Sequence, residues 1–290
     1  MSIKIIASDM DGTLLNDQAT ISQNNLDAIQ KATNAGIQFV IATGRGLSEV
    51  KPLIKNLTTK PAIITLNGAL VYDSNTVPIV KIPLEKATLF QSIAAIKKKQ
   101  LYFEIVTDHG IYSTSRFQRL KHFTNSLRAV NLNLSFDQAF KKAQQRPEIV
   151  NINYVADYES ILQNPTISVM KLLVFADEKN DALSDLRHQL EQLPEIIITS
   201  SAANNLEINN KKAQKGTALQ EFAQKNAVDM QQVMAIGDNL NDESMIKVAG
   251  LGVAMDNAVP AIKELAQYQT TSNKEDGVAK AIDYALNLSV

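Results

Sequence analysis

Cysteine is absent from this chain, which excludes disulfides, thiolate metal sites and thiol nucleophiles together. Histidine is scarce: His109, His122 and His188 are the only three, all mid-chain, so a histidine-rich metal centre is not expected. Neither sign of charge is in excess. With 29 basic and 30 acidic residues the net charge is −1, and no global field draws the chain to nucleic acid or an anionic membrane. No apolar run approaches the roughly 20 residues needed to span a bilayer. The N-terminus enters a strand at once without a signal-peptide pattern, so a cytoplasmic protein is expected. Against these absences stands an ordinary globular composition, 45% hydrophobic and 20% charged, over 290 residues, a length that favours two domains.

The first dozen residues organise the rest. Ile3, Ile5, Ile6 and Ala7 form a short apolar run, read as a buried strand, which breaks into Asp9-Met10-Asp11-Gly12-Thr13. Carboxylates spaced i, i+2 at a strand end point the same way. Like charges so close repel, and a hard divalent cation with oxygen ligands, most simply Mg²⁺, resolves the conflict. Gly12 lets the backbone turn so that amides can face an anion.

Ser22 then reads as the N-cap of a helix carrying Leu26, Ile29 and Ala32 and stopping at Gly36. A strand over 37–42 ends at Thr43-Gly44-Arg45. A helix over 47–57 and a strand over 62–66 lead to Asn67-Gly68-Ala69. Alternating strands and helices with short connections predict a doubly wound, Rossmann-like parallel α/β sheet, in which ligands bind beyond the carboxyl ends of the strands. From Leu84 the texture changes to helices mixed with hairpins: helices over 84–99, 136–142 and 179–192, strands over 102–107, 110–113, 149–154, 168–175, 195–200 and 205–208, with a turn at Ala202-Ala203-Asn204. Parallel-sheet texture returns near Lys215, with Thr217 as a helix cap and a strand over 233–236 ending at Gly237-Asp238-Asn239-Leu240-Asn241-Asp242. The expected organisation is a core over 1–83 and 210–290 bracketing an inserted α+β cap domain over 84–209.

Four strand-end groups now need one explanation: Asp9 with Asp11, Thr43 with Gly44, Lys215, and Asp238 with Asn241 and Asp242. Phosphoryl transfer uses these types, because its transition state spreads negative charge that a metal, an ammonium, hydroxyls and amides can meet. A carboxylate can take the phosphoryl group as an aspartyl-phosphate, and a neighbouring acid can protonate the leaving oxygen.

Asp-Met-Asp-Gly-Thr, Ala-Thr-Gly-Arg, a later Lys-Gly and Gly-Asp-Asn-x-Asn-Asp, in this order, resemble the four motifs of the haloacid dehalogenase-like phosphatases. The insert, with Asn67-Gly-Ala, Leu206-Glu-Ile, Val253-Ala-Met and Glu275-Asp-Gly-Val, is similar to the Cof-type subfamily with its α/β cap. The resemblance implies Asp9 as nucleophile and Mg²⁺ ligand, and Asp11 as general acid/base whose carbonyl also meets the metal. It implies Met10, Thr43, Gly44, Lys215 and Asn241 around the phosphate, with Lys215 also steadying Asp9. It implies Asp238 and Asp242 on the metal, Asp242 acting through water or on the loop. Lys215 is preferred over Lys211 and Lys212 because Gly216-Thr217 follows it. Arg45 is left open between steadying its loop and pairing on the surface. Asp256 stands where the family usually has glycine, and either it points away from the anion site or its loop sits differently here. The expected activity is hydrolysis of small phosphorylated metabolites, sugar phosphates or phosphorylated cofactors, under a mobile cap, by a monomer or weak homo-oligomer. Transfer to a sugar hydroxyl, as in a phosphohexomutase, a receiver-like regulatory module, and a metabolite-binding protein whose chemistry has lapsed are the alternatives.

Overall fold

A computed structural model describes residues 2–130, 134–145, 152–176, 181–200 and 204–288. The chain forms two compact units, residues 1–81 with 213–290, and residues 82–212. In chain order, the first unit supplies β1 (Ile5–Asp9), β2 (Gln38–Ala42), β3 (Ala62–Thr65), β4 (Leu70–Tyr72) and β5 (Pro78–Lys81). The second supplies β6 (Tyr102–Thr107), β7 (Gly110–Ser113), β8 (Ile152–Tyr154), β9 (Val169–Phe175), β10 (Ile196–Thr199) and β11 (Asn205–Asn210). The first resumes with β12 (Val233–Gly237), β13 (Leu251–Ala254) and β14 (Tyr268–Gln269).

The first unit is one eight-stranded sheet in the order β14-β13-β12-β1-β2-β3-β4-β5. It is parallel from β14 to β3, and every residue of β1, β3, β12 and β13 is buried. Strands covered on both faces carry continuous apolar runs rather than alternation, and this is why they were readable from sequence. Beyond β3 the sheet turns antiparallel through β4 and β5, an edge that the purely parallel expectation lacks. Asp73 builds its turn, the carboxylate accepting from the amides of Asn75 and Val77.

The first helix, Gln23–Asn34, is capped by Ser22 as expected, and Gly36 follows it with φ 83°. The helix expected over 47–57 is a single turn, Leu47–Val50. Pro52 removes a backbone donor and its ring clashes with the preceding turn, so the chain continues in successive turns instead. The helix expected to be capped by Thr217 begins three residues earlier, spanning Lys215–Lys225 with Gln214 in the N-cap position. Its first-turn amide at Gly216 donates to Ser244 Oγ on the neighbouring helix Glu243–Val248, so a tertiary bond replaces a local cap. A Cβ on Gly216 would lie 2.3 Å from the Ser244 carbonyl oxygen, so this close approach requires glycine.

The second unit is a six-stranded sheet in the order β10-β11-β9-β6-β7-β8, antiparallel except for β7 with β8. Helices Lys86–Lys98 and Asp181–Leu190 cover one face, packing Leu89, Ile93, Leu186 and Leu190 into the core with Phe103, Ile105, Leu172 and Val174. Of the expected elements, residues 149–151 of one strand, 179–180 of one helix and Ala202-Ala203 of one turn lie outside the described residues. Tyr102 stacks with His122 and Phe175, while His109 and His188 sit beside Asp108 and Glu191.

Candidate active site

Parallel pairing sets Ser8 opposite Ile236, so β1 and β12 deliver Asp9 and Asp238 from adjacent strand ends. After Asp9 the chain turns sharply, Leu15 donating back to the Met10 carbonyl at 2.8 Å. Gly12 makes the turn with φ 81°, and a Cβ there would lie 2.5 Å from Asp238 Oδ2. Conformation and close approach both require glycine at this position. Thr13 completes the approach by donating to Asp238 Oδ1 at 2.8 Å.

Lys215, 0% exposed, ties the two acidic segments together. Its ammonium donates to Asp9 Oδ1 at 2.5 Å and to Asp242 Oδ1 at 2.6 Å. Neither Lys211 nor Lys212 shares its burial, and the helix start places Lys215 in the first turn. Asp242 Oδ2 accepts the amides of Asp238 and Asn239, both at 3.0 Å, so both oxygens of this carboxylate are committed to holding the loop and the lysine.

The third strand end is built just as tightly. Thr43 is buried at the end of β2; its carbonyl accepts from Asn67, and its Oγ1 accepts the Arg45 amide. The Arg45 carbonyl accepts from Leu66. Leu66 and Asn67 reach these partners with φ 52° and 56°, a left-handed pair of non-glycine residues. Gly44 lies against the Asn67 side chain, and Asn241 Nδ2 donates to Asn67 Oδ1 at 3.2 Å. Asp11, unlike Asp9, is exposed, and Arg45 grips it through two hydrogen bonds. Asp256 is held by Gln269 and lies near Lys263, while its neighbour Asn257 donates to the Gly12 carbonyl.

The electrostatics call for a cation. Burial raises the Asp9 carboxyl well above the usual range, the Asp242 and Asp238 charges add to this, and Lys215 only partly offsets it. Asp238 is raised as well, by burial first, against the Thr13 hydrogen bond, with Asp242 adding repulsion. Burial alone would lower the Lys215 ammonium; Asp242 and Asp9 outweigh it and raise it. Asp9, Asp238 and Asp242 each offer a carboxylate oxygen within 4.8 Å of the others. An all-oxygen, acidic donor set of this kind fits a hard divalent cation.

The structure therefore brings Asp9, Lys215, Asp238 and Asp242 into one cluster, joins Asn241 to the Thr43-Gly44 loop, and leaves Met10 buried in the turn behind Asp9. Asn67, read at the end of its strand, braces Asn241, while two asparagines escaped the sequence reading as structural braces: Asn257, donating to the Gly12 carbonyl, and Asn273, donating to the Leu15 carbonyl. Their only signal was position beside motifs already singled out.

The parallel part of the sheet gathers carboxylates and a buried lysine at its strand ends, an acidic cluster able to hold a metal ion. The haloacid dehalogenase-like hydrolase model matches residues 6–282, and the chain belongs to that family. It is 33% identical over 286 residues to the 5-amino-6-(5-phospho-D-ribitylamino)uracil phosphatase YwtE of Bacillus subtilis, covering 98% of this chain and 99% of that one. A second phosphatase of the same name, YcsE of Bacillus subtilis, is 36% identical over 97% of this chain and 95% of its own. A haloacid dehalogenase-like hydrolase structure from B. subtilis superposes with a TM-score of 0.81 at 29% identity, covering 97% and 99% of the two chains. Among the described residues no helix is long and apolar enough to cross a membrane.

Proposed function

We propose that the chain is a Mg²⁺-dependent phosphomonoester phosphatase of the cytoplasm that works through an aspartyl-phosphate on Asp9. The observation that carries this reading is the Lys215 ammonium shared between Asp9 and Asp242, with Asp238 alongside. Lys215 fixes Asp9 with one oxygen engaged, leaving the other to attack phosphorus. Asp9, Asp238 and the Asp11 carbonyl would hold the metal, and Asp242, already committed, supports them. Bound Mg²⁺ supplies positive charge to the phosphoryl oxygens and relieves the repulsion among the carboxylates.

In the first half-reaction an Asp9 oxygen bonds to phosphorus, the ester P–O bond breaks, and Asp11 gives its proton to the departing oxygen. In the second, water attacks the phosphorus, Asp11 takes a water proton, and the bond to Asp9 breaks to leave inorganic phosphate. Thr43, the Gly44 and Met10 amides, Asn241 and Lys215 receive the phosphoryl oxygens. Substrate choice is assigned to the inserted unit.

The names of YwtE and YcsE make a phosphorylated ribityl compound the first substrate to try, within the wider class of sugar phosphates and phosphorylated cofactors. The test is a panel of such esters, including 5-amino-6-(5-phospho-D-ribitylamino)uracil, scored for inorganic phosphate. Mg²⁺-dependent release from at least one is expected. Phosphate passing to a sugar hydroxyl without release would overturn hydrolysis in favour of transfer.

A further inference from the structure

Arg45 directs two guanidinium nitrogens at one carboxylate: Nε donates to Asp11 Oδ2 at 2.7 Å, and Nη2 to Asp11 Oδ1 at 2.8 Å. An exposed ion pair is by default worth little, about 0–1 kcal/mol. Two features set this one apart. The fork-to-fork geometry fixes the plane of the carboxylate as well as its distance. The arginine's backbone is also built in, its amide bonded to Thr43 Oγ1 at 3.1 Å and its carbonyl to the Leu66 amide at 3.0 Å. Leu66 is left-handed where it makes that bond, a conformation costing a non-glycine residue about 1–2 kcal/mol. Strain is thus tolerated where it clamps the main chain of Arg45. A merely solvated pair needs no clamp.

We propose that Arg45 is a positioning residue for Asp11, orienting its carboxyl toward the departing oxygen, and is not a phosphate ligand. This rests on Asp11 being the general acid/base. When Asp11 carries its proton, its carbonyl oxygen still accepts from the guanidinium and the O–H is turned outward. When Asp11 is ionised, both bonds re-form and the carboxylate is held ready for a water proton. The first half-reaction needs that proton most when the departing oxygen belongs to a weak acid. A nitrophenolate leaves almost without it. Loss of Arg45 therefore shows in leaving-group dependence rather than in phosphate affinity.

The experiment measures kcat/KM with Mg²⁺ for p-nitrophenyl phosphate and phenyl phosphate in wild type, Arg45→Ala, Arg45→Lys and Asp11→Asn. This ratio reports only steps through formation of the phosphoenzyme. Arg45→Ala should lose about tenfold more on phenyl phosphate than on p-nitrophenyl phosphate, a part of the ~10²–10⁴ that a positioned acid contributes. Arg45→Lys, which keeps charge but not the fork, should fall between and guards against misfolding of the alanine variant. Equal losses on both esters would make Arg45 a phosphate ligand, and no loss would make it a surface pair; either overturns the proposal. If Asp11→Asn itself lacks the leaving-group signature, the general-acid reading falls first, and the proposal with it.

Discussion

At the scale of single residues the site is held by charge shared in a dry place. Lys215 is wholly buried between two carboxylates, so replacing it leaves uncompensated charge rather than merely removing a contact. Lys215→Met is expected to cost about 3–5 kcal/mol of stability in denaturant titration and to abolish turnover. A fully stable variant would show that the carboxylates do not depend on this lysine. Asp9, Asp11, Thr43, Lys215, Asp238, Asn241 and Asp242 could be singled out in the sequence because carboxylates, hydroxyls and a lysine recur at the ends of apolar runs. Asn67 stood at a strand end in the same way, whereas Asn257 and Asn273 could not be recognised as braces, because their importance lies in partners 245 and 258 residues away along the chain. Asp256, read as pointing away from the anion site or sitting on a differently placed loop, has another partner in Gln269.

At the scale of elements, the loops after β2 and β3 act as one piece. Asn67 donates its backbone amide to Thr43 and accepts from Asn241, from a left-handed conformation that glycine adopts more readily. Asn67→Gly should therefore change stability by no more than about 1 kcal/mol, strain relief offsetting added freedom of the unfolded chain. KM should rise several-fold as Asn241 loses its partner. Stability by denaturation and KM by steady-state kinetics are read side by side; unchanged KM would detach Asn241 from phosphate binding. Buried strands were recoverable because the sheet interior demands unbroken apolar runs. The shortened helix at Leu47–Val50 shows one proline overriding a favourable pattern. The helix Arg116–Val130 went unassigned although Phe117, Leu120, Phe123 and Leu127 recur at helical spacing, and Leu120, Phe123 and Leu127 join one small core with Phe140 and Ala143. The β4–β5 edge was missed because β4 is only three residues long, too short for a periodicity.

At the scale of the whole molecule, the acidic cluster links stability, pH and metal. Burial and mutual repulsion raise Asp9 and Asp238 in the folded state, so their folded forms hold protons more tightly than the unfolded chain does. That contribution is complete below the ordinary carboxylate range and is lost as pH rises through the raised values. Lys215, also raised, contributes throughout this window and loses its contribution only in strongly alkaline solution, as pH climbs past the ordinary lysine range toward its raised folded value. With chelator present, Tm should fall more steeply in wild type than in Asp9→Asn as pH rises above the ordinary carboxylate range, and Mg²⁺ should restore more stability at the higher pH. Equal slopes in the two proteins would contradict the repulsion attributed to Asp9.

Inorganic phosphate release from p-nitrophenyl phosphate, with and without Mg²⁺, for wild type beside Asp9→Asn, bears on all three scales at once. Release that requires Mg²⁺ and disappears in Asp9→Asn is the expected result. Undiminished release by Asp9→Asn would remove the nucleophile from Asp9 and contradict the mechanism built on it.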